Sequence, residues 1–166
     1  MRPPAARSLA AAVGRSLTAA QEADDDALDG AVDVLLAQDP GQVAVLLGAM
    51  VRSLLEQTHP AGLSGDDAED ELLRCLDRGS GWFSGLDTGT LVLVLAGALG
   101  TYDPAAAGDA DDADGPDLPA PVSARNLLRH ATLVLADLLA LAGSGVEVVL
   151  DAALAEIARA ETVEMP

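Results

Sequence analysis

A run of aspartates with the sequence GDADDADGPD is similar in composition to the start of a calcium-binding loop. An EF-hand loop needs acidic ligands at positions 1, 3 and 5, a glycine at position 6 and a bidentate glutamate at position 12. With Gly115 at position 6, Asp112 and Asp114 occupy positions 3 and 5. Positions 1 and 12 then fall on Ala110 and Pro121, so two ligands are missing. We therefore interpret this run as a solvated acidic linker and not as a metal site.

Acidic residues also recur one helical turn apart in the segment 64–79, where Ser64 followed by Asp67 has the pattern of a capping box. Carboxylates four residues apart lie on one helix face, and some helical hydrolases hold Mg²⁺ with such pairs when a facing helix supplies more. The six acids of this possible site are Asp66, Asp67, Asp70, Glu71, Glu147 and Asp151. Acids in a first helical turn offset the helix dipole without any catalytic role. We therefore predict a structural role, and a Mg²⁺-dependent hydrolase is the alternative.

The histidines and the single cysteine do not form a recognisable site. Glu56 and His59 have the Glu-x-x-His spacing of di-iron bundles, but such bundles need the motif twice, and His130 is preceded by Leu127 at the matching position. Cys75 lies on a predicted apolar helix face, which is typical of a buried structural thiol. We expect no cofactor and no metal.

Trp82 and Phe83 are adjacent in the segment GSGWFSG, and they are two of only three aromatic residues in the chain. A tryptophan on a loop is a typical centre of a protein-binding surface. Alternatively, both rings close the end of a bundle that is otherwise built from small side chains. We take these two residues as the candidate partner-binding residues, with both interpretations open.

Two acidic residues of the predicted helices, Asp137 and Asp70, have basic residues nearby in sequence. Asp137 interrupts an apolar helix and is either a buried acid with a raised pKa or, as we expect, an acid that faces water beside Arg129 or His130. Asp70 and Arg74 are four residues apart, a spacing that favours an ion pair along one helix.

The chain is strongly acidic, with a formal net charge of −18, and its nine basic residues are all arginines. Such a surface repels phosphate backbones and anionic lipids, so we predict no nucleic-acid partner and no membrane partner. Residues 1–20 are the exception, because they carry three arginines and no acid. Gly14 and Arg15 divide the apolar stretch that a signal peptide would need there, so we expect a cytoplasmic location.

Composition favours an all-α protein, since half of the residues are hydrophobic and Ala and Leu prevail over β-branched and aromatic types. Capping residues and apolar stripes with helical spacing predict an irregular bundle of five to six helices, ending in an antiparallel hairpin over residues 123–161. The charge-free run at 87–100 is predicted to be the buried central helix. Residues 1–22 are predicted to be flexible or weakly helical. Residues 23–166 are predicted to form one domain, with an acidic Pro/Asp/Ala linker at 101–122.

These observations favour a non-enzymatic interaction protein, an adaptor or regulatory subunit with an unknown protein partner. The helices carry more apolar surface than a small bundle needs, which predicts that the protein self-associates as a homodimer. Two alternatives stay open: the Mg²⁺-dependent hydrolase described above, and a bundle that binds a small apolar ligand between its helices.

Overall fold

The computed structural model describes residues 4–100 and 122–163, and no β-strand is present in these two ranges. They contain seven helices, namely α1 (Pro4–Gln21), α2 (Asp25–Leu36), α3 (Pro40–Thr58), α4 (Gly65–Gly79), α5 (Thr88–Ala98), α6 (Ala124–Ala142) and α7 (Val146–Val163). The predicted all-α class is confirmed, with one helix more than the five to six expected. The acidic linker predicted at 101–122 falls, apart from Val122, outside the described residues, and so does the aspartate run at 108–117.

Five of the helices begin at a side-chain cap, and the sequence analysis identified the one at Ser64. In each, the side chain accepts a hydrogen bond from the backbone N–H three residues later; the caps are Asp24, Asp39, Ser64, Asp87 and Ser123. The capping box of α4 is complete, because Asp67 also accepts from the backbone N–H of Ser64 at 2.9 Å. These caps satisfy N–H groups that have no partner inside the helix, which is why the local sequence marks them.

Helix α6 is the centre of the fold and contacts α1, α2, α3, α4 and α5. Its middle is buried on every side, including Leu133, Val134, Leu135, Ala136, Asp137, Leu138 and Leu139. The prediction that the charge-free helix at 87–100 is central is therefore wrong. Helix α5 packs by one side only, and Val92 and Leu99 on its other side are 47% and 44% exposed.

The N-terminal segment that the sequence predicted to be flexible or weakly helical forms α1, which packs against α2 and α6. Val13 and Leu17 on its inner face are fully buried. Arg7 and Arg15 lie on its exposed side. This helix therefore contributes to the core with one face and presents the other to solvent.

Helices α6 and α7 meet at a corner instead of forming the predicted antiparallel hairpin. Their axes are bent by 113° across the short break between them. Gly143 ends α6 with a φ of +62°, a left-handed conformation that glycine adopts without steric cost. Both helices pack on α3, which holds the corner open.

Over residues 4–100 and 122–163, no single helix is long and apolar enough to cross a bilayer, and α6 with α7 meets that criterion only as this bent pair.

Candidate functional site

A group of charged side chains and one thiol lies between α4 and α6, with both of its acids buried. We call it the ion cluster, and its members are Glu71, Arg74, Cys75, Arg78 and Asp137. Four of them share one face of α4, because spacings of three and four residues correspond to about one helical turn. Asp137 approaches from α6. The cluster therefore joins the central helix to α4 through charge as well as through packing.

Every carboxylate oxygen in the ion cluster has a partner. The Nε of Arg78 donates to one oxygen of Asp137 at 2.8 Å, and the Nε of Arg74 donates to the other at 3.3 Å. Arg74 also forms an ion pair with Glu71. The thiol of Cys75 donates to the remaining Glu71 oxygen at an S–O distance of 3.4 Å. Two guanidinium groups thus neutralise two carboxylates.

Two sequence-based expectations are wrong at this cluster. Asp137 does not face water beside Arg129 or His130, because it is only 6% exposed and pairs with Arg74 and Arg78. Arg74 pairs with Glu71 and Asp137, and no contact with Asp70 is recorded among the described residues. The physical reason is the central position of α6, whose polar residues can pair only with side chains that reach inward from its neighbours.

The surroundings shift the ionisation of Glu71 and Cys75. Burial raises the pKa of the Glu71 carboxyl, and the negative charge of Asp137 raises it further. Burial also raises the pKa of the Cys75 thiol, with the carboxylate of Glu71 acting in the same direction. A thiol whose pKa is raised is a poor nucleophile, because the thiolate is the reactive form. The cluster therefore lacks an activated nucleophile.

The ion cluster does not fit a metal ion, although one ligand atom each from Glu71, Cys75 and Asp137 lies within 4.8 Å of the others. A cation there would have to displace guanidinium groups that already bond the carboxylates. The thiol would also have to lose its proton against a raised pKa. The arrangement is instead that of a neutralised structural network.

A second polar group surrounds Arg129, which α6 carries into the interior between α2 and the α4–α5 connection. Its Nη1 donates to the carbonyl of Ser84 at 2.8 Å, and its Nη2 pairs with Asp25. Its Nε lies 3.2 Å from a carboxylate oxygen of Asp29, as an ion pair that lacks hydrogen-bond alignment. The guanidinium carbon also lies 4.5 Å from the ring centre of Phe83, a cation–π contact.

The two candidate partner-binding aromatics differ in exposure. Phe83 is only 6% exposed, and its ring makes an edge contact with His130 at a centroid distance of 4.9 Å. Trp82 is half-buried against the core, and its indole N–H donates to the carbonyl of Arg78 at 2.6 Å. Phe83 therefore fills the interior beside Arg129, while one side of Trp82 reaches the surface.

The six acids of the possible Mg²⁺ site lie in different environments. Asp66 and Asp70 are exposed, and Asp67 accepts from the Ser64 hydroxyl at 2.6 Å, which lowers the pKa of Asp67. Glu71 is fully buried in the ion cluster. The remaining two, Glu147 and Asp151, are exposed on α7, and Glu147 lines a groove beside α1 and α2. A site that uses all six acids stays a prediction.

The Glu-x-x-His motif ends α3 in a local arrangement. The Nδ1 of His59 lies 2.9 Å from the Thr58 hydroxyl, and its Nε2 lies 3.8 Å from a carboxylate oxygen of Asp67. Glu56 is exposed on the preceding turn. The contact with Asp67 links the end of α3 to the first turn of α4.

Sequence reasoning did not identify the ion cluster, although one signal was present. Glu71, Arg74 and Arg78 follow one another at helical spacing and share the face of Cys75, which is where an inward-facing charged stripe would lie.

No known protein family, curated protein or solved structure matches the chain significantly.

Proposed function

We propose that the protein is a non-enzymatic interaction protein, an irregular helical bundle that self-associates and binds a partner protein through α5. The observation that carries this proposal is the outer side of α5. Residues 88–99 contain no charged side chain, in a chain whose net charge is −18. We call the outward positions Val92, Ala96 and Leu99 the α5 face.

The α5 face combines exposure with apolar character. Leu91, Leu95 and Ala98 point inward and are buried, whereas Val92 and Leu99 each leave nearly half of their surface in water. Successive members of the face are four and three residues apart, so they form one stripe along the helix. A solvent-facing apolar stripe on an otherwise acidic molecule supports a docking role, since burial of that stripe is favourable.

Charge indicates the class of partner. A surface with a net charge of −18 attracts cations and repels acidic proteins. An amphipathic helix with a basic polar side could place its apolar side on α5 while the net negative charge of the chain attracts its positive charges. We therefore propose a basic amphipathic helix of a partner protein as the occupant of the α5 face.

The test is a fluorescence titration with a labelled synthetic helix of leucine and lysine, compared with a scrambled peptide of the same composition that lacks an apolar side. We expect the amphipathic peptide to bind more tightly than the scrambled one. Val92→Glu should weaken its binding about tenfold, which corresponds to the loss of most of one buried valine. The added carboxylate strengthens the general attraction for a basic peptide. A loss of affinity would therefore come from the lost apolar contact and not from charge.

Val45→Glu is the matched control, because Val45 is an exposed valine on α3 and the substitution adds the same charge. It should bind the amphipathic peptide at least as tightly as the unmodified protein. If Val92→Glu and Val45→Glu bound the peptide equally, or if the two peptides bound equally, the net charge alone would explain the binding. Either result would contradict the proposal.

A further inference from the structure

An open groove of about 890 Å³ runs between α1 and α2, with the start of α7 at its side. The exposed or half-exposed residues that line it from α1 and from Glu22, which directly follows α1, are mostly three and four residues apart. We call them the α1 stripe: Arg7, Ala11, Gly14, Arg15, Thr18 and Glu22. The wall from α2 is made of small or short apolar residues, namely Ala27, Gly30, Ala31 and Val34. Because this wall carries only short side chains, the open groove leaves room for a helix.

The charged ends of the α1 stripe, Arg7 and Glu22, are complementary when the stripe is reversed, while Arg15 of each copy lies beside the two-fold axis. Arg7 and Glu22 lie at equal separations in the sequence on either side of the midpoint between Gly14 and Arg15. Ala11 and Thr18 are related in the same way. Glu22 continues the helical geometry, because its backbone N–H donates to the carbonyl of Thr18 at 2.9 Å. Two antiparallel copies of α1 would thus place each Arg7 opposite a Glu22, as a two-fold axis requires.

The charges of the stripe are available for such a contact. In the part of the chain that the structure describes, Arg7 and Arg15 are the arginines without a recorded hydrogen bond or ion pair. The other six bond carboxylates or backbone carbonyls. Unpaired cations are unexpected in a chain with 27 acidic residues. Helix α1 itself carries no acid, so within the two helices each Arg7 depends for a partner on Glu22, which follows α1 in the other copy.

Gly14, on one side of the centre of the stripe, leaves space for a second helix. A β-carbon added to Gly14 would meet no atom within 4 Å, so the space above it is open. Ala11 is the neighbouring small residue on the stripe. Glycine in a helix interior costs stability relative to alanine, and close approach of another backbone is one reason for a glycine at such a position.

We infer that the α1–α2 groove holds α1 of a second copy of this chain, in a two-fold symmetric dimer with the two α1 helices antiparallel. This inference rests on the self-association in the proposed function and gives it a surface. Helix α1 packs on α2, α6 and α7, whereas α5 packs on α3, α4 and α6. The dimer therefore uses a surface distinct from the α5 face.

The test is sedimentation equilibrium of the full chain over a wide concentration range. Arg7→Glu should weaken dimerisation at least tenfold, because two attractive pairs become two repulsive pairs. The exchange Arg7→Glu with Glu22→Arg restores both pairs across the two-fold axis, so it should recover dimerisation. Arg159→Glu is the control, since it changes the net charge equally on exposed α7 and should leave the dimer unchanged.

Gly14→Gln separates folding from assembly. Glutamine favours the helix more than glycine does, so the melting temperature of the monomer should be kept or raised, while the side chain occupies the centre of the interface. If neither Arg7→Glu nor Gly14→Gln weakened dimerisation, this inference would be overturned, and the protein would self-associate through another surface. A chain that is monomeric at every concentration would overturn self-association itself, whereas peptide binding to α5 is measured independently.

Discussion

The Nε2 atom of His130 in α6 accepts a hydrogen bond of 3.0 Å from the backbone N–H of Asp87, whose carboxylate caps α5. The Nδ1 atom of the same ring lies 2.7 Å from the carbonyl oxygen of Asn126. Because a carbonyl can only accept, Nδ1 carries the proton and Nε2 is the acceptor. The interior therefore holds His130 as one neutral tautomer, and this ring fixes the start of α5 on the central helix.

The first prediction concerns acid sensitivity from His130. Burial lowers the pKa of His130 below its usual 6.5, so the unfolded chain binds the proton more readily than the folded chain. The stability that this residue contributes is thus present above pH 6.5 and is lost as the pH falls through the folded-state pKa. Urea unfolding at a series of pH values should give a shallower loss of unfolding free energy on acidification for His130→Gln than for the unmodified protein.

The control for this measurement is His59→Gln, which removes the other of the two histidines. Long-range proton–nitrogen NMR correlations give a second readout and should identify the tautomer of His130 with the proton on Nδ1. A His130 that titrates near pH 6.5 in the folded protein, or one with the proton on Nε2, would contradict the hydrogen-bond assignment.

How far the sequence predicts this structure depends on how local each interaction is. The cap of α4 was predictable because Ser64 and Asp67 are three residues apart and satisfy each other within one turn. The sequence left the burial of Asp137 as the less favoured of two interpretations, because this burial depends on which apolar helix the other helices surround. Helix α5 is charge-free but short, so it covers only one side of the core, and α6 takes the centre. Phe83 shows the same limit, since its place beside Arg129 depends on contacts between distant segments.

The second prediction concerns Asp137, which joins α6 to α4 through Arg74 and Arg78. Asp137→Asn keeps the shape of the side chain but removes the charge that pairs with both guanidinium groups. Breaking a fully buried pair costs about 3–5 kcal/mol. Both arginine side chains are about one third exposed and regain some hydration, so we expect a smaller loss of about 2 kcal/mol in the free energy of unfolding.

Chemical denaturation of Asp137→Asn measures this loss, and Asp77→Asn, at an exposed position of α4, is the matched control. The control should change the free energy of unfolding by less than about 0.5 kcal/mol, as most surface substitutions do. Equal stability of the two variants would mean that the ion cluster contributes nothing net to the fold.

The third prediction concerns Glu71 and has the opposite pH dependence to that of His130. Burial and the nearby Asp137 raise the pKa of Glu71 above its usual 4.5, so the folded chain binds this proton more tightly than the unfolded chain. Its contribution to stability is full below pH 4.5 and is lost as the pH rises through the folded-state pKa. The free energy of unfolding of the unmodified protein, minus that of Glu71→Gln, should therefore decrease from pH 4.5 upward. Glu69→Gln, at an exposed position of the same helix, should give a flat difference. A flat difference for Glu71→Gln as well would show that this carboxyl ionises alike in the folded and unfolded chains.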